Sequence, residues 1–133
     1  MKYLLDTNIC IYIIKKQPAS VIQRLTKIPI DDVVISAITY SELEYGVSKS
    51  QHQTKNKIAL MEFLAPFTIL PFDDLAAETY GEIRANLERN GNIIGNMDLL
   101  IAAHTLSSNL TLVTNNEKEF KRIPDLKLEN WTK

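Results

Sequence analysis

The sequence predicts an α/β protein with helices on both faces of a central parallel sheet. Two observations carry this expectation. Short apolar runs alternate along the chain with longer stretches of helical periodicity, the pattern of strands joined by crossover helices. One of those stretches, "NMDLLIAAHTLSSN", is apolar on almost every side and so must be deeply packed. Taken in order, "KYLLD" is a strand, and a helix follows from about Asn8 to Lys16. A second helix starts at Pro18, since proline suits a first helical turn. "VVIS" is the next strand, after which Ser36 caps a helix reaching about Lys49. "TKNKIALMEFLAPF" is a helix ended by Pro66, because proline lacks the N–H that would continue the ladder. "FTILPF" is a third strand. Asp73 caps a long helix to Asn90, stopped by Gly91. The buried helix comes next, capped by Asn96, and "LTLVT" and "LKLEN" are the fourth and fifth strands. The order of strands within the sheet cannot be read from this pattern.

A chain of 133 residues without repeats, low-complexity tracts or Gly/Ser linkers reads as one domain, 1–133. At 45% hydrophobic and 23% charged residues its composition is that of a globular protein. No apolar run nears the ~20 residues of a membrane span, and no signal-peptide pattern opens the chain, so a cytoplasmic location without membrane contact is expected. The lone cysteine, Cys10, lies in an apolar run as a small hydrophobe. A net charge of −1 excludes a uniformly basic surface. Nucleic-acid contact would therefore depend on local patches such as Lys15 and Lys16, or Lys118, Lys121 and Arg122.

The carboxylates carry the chemical signal. Asp6 stands where the first strand ends, followed by Thr7 and Asn8, and three potential caps exceed what one helix start needs. On a helical wheel from Ala37 to Ser48, Ser41, Glu44 and Ser48 share the solvent side, whereas Glu42 falls opposite, between Ile38 and Gly46. A core-facing carboxylate needs a basic partner or a metal. Asp98 sits in the first turn of the buried helix, where the helix dipole favours it whatever its function. "VTNNEKEF" after the fourth strand adds Asn116, Glu117 and Glu119. If the first and fourth strands are neighbours, these groups open on one crevice at a topological switch point. Carboxylates converging there would repel one another, and a hard divalent cation with oxygen ligands, magnesium above all, relieves that repulsion.

Four stretches, "LLDTNICIYII", "SAITYSELEYGV", "GNMDLLIAAH" and "LVTNNEKEFKRIPDLKLENW", resemble the PIN domain, and within it the VapC toxins of bacterial toxin–antitoxin pairs. The resemblance runs from Met1 to Trp131. It implies a PIN-like α/β/α sandwich around a parallel sheet and an acidic metal site that hydrolyses RNA. Asp6, Glu42 and Asp98 match the family's three principal acidic positions. Glu119 is the match for the fourth, with Asn116 the alternative. Similar chains often carry proline near the "GNMD" turn, where this one has Asn96 and Met97. The resemblance further implies Mg2+ as cofactor with Mn2+ as a substitute, structured RNA such as tRNA as substrate, a VapB-like antitoxin partner and a homodimer.

Thr7, Asn8, Thr114 and Asn115 are candidates to orient the carboxylates or metal-bound water. His104 is expected to be a core histidine with satisfied hydrogen bonds, and His52 lies in a polar loop. Two histidines so placed make a poor acid–base pair for cleavage through the 2′-hydroxyl. Two other functions use the same residues. One is an acidic-pocket phosphatase or receiver-like phosphotransfer domain, although the second Asp that such a phosphatase wants two residues after Asp6 is here Asn8. The other is a PIN-like module that binds RNA or a partner without cutting.

Overall fold

In the computed structural model, which describes residues 1–133, five short strands form one parallel sheet in the order β3-β2-β1-β4-β5. Along the chain the elements are β1 (Tyr3–Leu5), α1 (Thr7–Lys15), α2 (Ala19–Thr26), β2 (Val33–Ser36), α3 (Ala37–Ser48) and α4 (Gln53–Leu64). Then come β3 (Thr68–Leu70), α5 (Asp74–Arg89), α6 (Asn96–Ser107), β4 (Thr111–Val113), α7 (Glu117–Phe120) and β5 (Lys127–Glu129). Alternate strand residues serve opposite faces of the sheet. Leu4, Val34 and Leu112 join Ile83, Leu99, Ile101 and Phe120 in one core, under α5 and α6. Leu5, Val33, Ile35 and Val113 join Ile9, Val21, Leu60 and Trp131 in the other. Both faces are thus covered, as the alternation of strands and helices predicts.

Strand β1 is the centre of the sheet. Leu4 pairs with Val34 on one side and Leu112 on the other. The chain winds outward from β1 through β2 to β3, then returns to β4 on the opposite side and continues to β5. The carboxyl ends of β1 and β4 therefore bound the switch point, where connections leave in opposite directions and a crevice opens.

Local differences from the sequence expectations have physical causes. Helix α1 starts one residue early because Asp6 caps it, accepting the Thr7 N–H at 2.7 Å. Asn96 does not cap α6. Gly95 holds the cap position without a side-chain bond, and the Asn96 side-chain Oδ1 instead accepts from the Tyr80 hydroxyl at 2.5 Å. The polar turn after β4 contains a one-turn helix, α7, because Phe120 and Ile123 are drawn into the core. A 3-10 turn at Ile30–Asp32, with no sequence signal, leads into β2. The long helix α5 ends as expected, with Gly91 at φ +68°, a left-handed conformation that costs other residues a steric penalty. His104 is a satisfied core residue, 2.7 Å from Ser36 Oγ and edge-on to Phe72, and its burial lowers its pKa. His52 is exposed. Cys10 is fully buried. No helix is long and apolar enough to cross a membrane.

Candidate active site

Asp6 lies at the carboxyl end of β1, only 4% exposed. Two donors hold it: the Thr7 N–H, and the Thr114 hydroxyl at 2.8 Å from the end of β4. Thr114 is itself fixed, since its oxygen accepts the Asn116 N–H at 2.9 Å. Asp6 therefore caps α1 with one oxygen while its other oxygen is held by Thr114 at the carboxyl end of β4. Burial raises its pKa, the bonds from Thr114 and Thr7 oppose that, and the charge on Glu42 adds to it.

Glu42 reaches the same crevice from α3. No Lys or Arg pairs with it, and Thr7 Oγ1 donates to its Oε1 at 2.5 Å. Ser41 and Ser48 face solvent and Glu44 pairs with Lys57, so the wheel orients α3 correctly. On the far wall, Asn116 donates from Nδ2 to Glu119 Oε2 at 3.1 Å and to Asp98 Oδ2 at 3.4 Å. Asn116 and Glu119 thus meet on the same wall of the crevice. Half-burial, the Glu119 contact, and the charges of Asp6, Glu119 and Glu42 push the Asp98 pKa up to about 7.

The four carboxylates feel one another, yet no group of three or more His, Cys, Asp or Glu side chains is arranged to hold a metal ion. Their chemistry nevertheless suits a hard cation. All donors are oxygen, burial and then the neighbouring carboxylates raise the Asp98 pKa, and none of the four carboxylates joins any ion pair.

Among the orienting candidates, Thr7 and Thr114 take the expected part. Asn115 does not: it bonds Tyr12, Asn130 and Thr132, which tie down the C-terminus. Asn8 is exposed and makes no side-chain bond to the carboxylates. Lys15 lines an apolar groove of about 250 Å³ between α1, α3 and α4 that also includes Glu42. Arg122 is pinned to the Ile93 carbonyl at 2.9 Å, while Lys16, Lys118 and Lys121 are simply exposed.

A parallel sheet with acidic side chains gathered at its switch point is the architecture of the PIN class. The family model described as PIN domain matches residues 3–126, and the chain belongs to that family. Relatives matched over the full chain include VapC ribonucleases. Ribonuclease VapC2 of Rickettsia felis is 51% identical over 134 residues, covering 100% of each chain. The tRNA(fMet)-specific endonuclease VapC of Shigella flexneri is 42% identical over 99% of each. The crystal structure of VapBC2 from Rickettsia felis, bound to a DNA fragment from their promoter, superposes with a TM-score of 0.91 at 50% identity, covering 98% of this chain and 99% of that one. PIN-domain nucleases are generally dependent on a divalent metal.

Proposed function

We propose that this protein is a Mg2+-dependent endoribonuclease that hydrolyses phosphodiester bonds of structured RNA such as tRNA, and acts as the toxin of a toxin–antitoxin pair. The observation that carries the reading is the convergence of Asp6, Glu42, Asp98 and Glu119 on one crevice without any basic counter-charge. Asp6 and Asp98 are assigned as the principal metal ligands. Glu42 is a further ligand or the base that orients the attacking water, and Glu119 completes the pocket. A bound magnesium ion would supply Lewis acidity, lowering the pKa of water and neutralising charge on the phosphate. The chain's own part is positioning. Thr114 holds Asp6, Thr7 holds Glu42, and Asn116 keeps Asp98 beside Glu119. Manganese, with similar oxygen preference, is expected to substitute. No observation favours the phosphotransfer alternative, and Asn8 lies outside the cluster.

Purified protein incubated with total RNA is expected to give defined cuts in magnesium and none in chelator. Because water rather than the 2′-hydroxyl attacks, the products should carry 5′-phosphate and 3′-hydroxyl ends. Sequencing that finds 2′,3′-cyclic phosphates, with cleavage persisting in chelator, would overturn this mechanism.

A toxic nuclease requires restraint. A VapB-like antitoxin could lay an apolar segment in the groove between α1, α3 and α4 and offer a basic residue toward Glu42, with the toxin itself forming a homodimer. Expression of this protein alone should arrest growth. Co-expression with the neighbouring small open reading frame should relieve the arrest and yield a stable complex. Unaffected growth, with no complex formed, sinks the toxin reading.

A further inference from the structure

An acidic crevice alone repels RNA, so the phosphates flanking the cut must meet cations fixed nearby. One cation outside the basic clusters of the sequence is held toward the start of α6. Arg84, on α5, donates from Nη1 to the Tyr80 hydroxyl at 2.8 Å, one helical turn back. Tyr80 in turn donates to Asn96, the first residue of α6 and two positions before Asp98. The guanidinium also lies 6.0 Å from the centre of the Tyr80 ring. Its one carboxylate neighbour is Glu88, at 3.7 Å, with both side chains about half exposed, and such pairs contribute little. Tyr80 packs its ring against the core, whereas ordering the exposed Arg84 side chain on it loses conformational entropy that no burial of its own offsets. The relay does, however, fix a planar cation whose Nη2 group meets no protein acceptor, against the entrance of the helix bearing Asp98. Arginine's fork matches two phosphate oxygens at once. Arg122 is a poorer candidate, because part of its fork is committed to the Ile93 carbonyl.

Resting on the ribonuclease reading above, we infer that Arg84, oriented by Tyr80, contacts an RNA backbone phosphate next to the scissile one and positions the substrate beside Asp98. It is a positioning residue, separate from the carboxylates that perform the chemistry.

The test uses the full chain and total transfer RNA in magnesium. Arg84→Ala should raise KM about tenfold, the worth of one charge-assisted contact, and leave kcat within about twofold. Tyr80→Phe, which keeps the ring but frees the guanidinium, should raise KM about threefold, and Arg84→Lys should restore only part of the loss. Arg84 is exposed and Tyr80→Phe keeps the ring that packs on the core, so the melting temperature should move by less than about 2 °C. In an Asp98→Asn background, which binds without cutting, removing Arg84 should flatten the log-affinity against log-salt slope by about 0.7–0.9. Unchanged KM and slope in Arg84→Ala, with the parent cleaving normally, overturns this inference and leaves the ribonuclease reading intact. A fall in kcat at constant KM overturns it as well. A parent that binds RNA with this slope change but never cleaves supports the Arg84 contact and removes the nuclease.

Discussion

In chelator, Asp98→Asn is expected to melt at or slightly above the parent's temperature, while its RNA cleavage in magnesium falls about a thousandfold. Two effects on stability compete. The Asp98 carboxylate gains about 0.3–1 kcal/mol from its place in the first turn of α6. Against this, burial and the charges of Asp6, Glu119 and Glu42 raise its pKa from 3.8 to about 7. For a half-exposed group, solvent screening reduces that penalty to about 1–2 kcal/mol. The combined cost of burying the charge and of repulsion wins, and the variant gains about 3 °C. The pH dependence has a definite sign. The folded state holds the Asp98 proton more tightly than the unfolded chain, so unfolding releases it, and parent stability in chelator should fall as pH rises from about 4 through 7. Asp6, also raised, contributes in the same direction. Asp98→Asn should flatten this decline. Magnesium binds the folded state and should raise the parent's Tm by about 5 °C or more near saturation, and the variant's by less. A clear loss of melting temperature in chelator, with cleavage retained, would mean that Asp98 serves the helix and not a metal.

Where the sequence and the structure agree, the signal was local. Asp6 and Ser36 stand at strand ends because a strand-to-helix join needs a cap, and the join itself lies at the carboxyl edge of the sheet. Glu42 is legible because two residues, roughly half a turn of the wheel, separate the solvent-side Glu44 from an inward carboxylate. Strand order was not legible, since backbone hydrogen bonds between strands carry no side-chain code, and the pairing of β1 with β4 had to enter as a condition. The capping of α6 was misread because Asn and Gly are both acceptable at that position. Only the distant Tyr80 hydroxyl, sixteen residues back, draws the Asn96 side chain away. For the same reason the joint role of Asn116 toward Asp98 and Glu119 was hidden: eighteen residues separate it from Asp98.

The short helix α7 leads to the second large effect. Four residues cannot sustain a helix in water, because nucleation is unfavourable and too few bonds follow. Phe120, fully buried among Leu99, Leu112 and their neighbours, holds this one in place. Phe120→Ala should therefore cost about 3–5 kcal/mol, a large part of the ~5–15 kcal/mol available to a domain, and be seen as a reduced urea midpoint. Phe120→Leu should cost only about 1–1.5 kcal/mol and leave the fold intact. Its smaller side chain nevertheless loosens the turn that carries Asn116 and Glu119, so cleavage should drop about tenfold under conditions where the protein remains folded. The magnesium-induced rise in Tm should shrink in parallel. Val21→Ala provides the comparison, since Val21 is buried on α2 in the opposite core, away from the crevice. That variant should lose comparable stability and keep its cleavage rate. Equal loss of cleavage in both, measured at matched folded fractions, would show that the packing of α7 does not position Glu119 for the reaction.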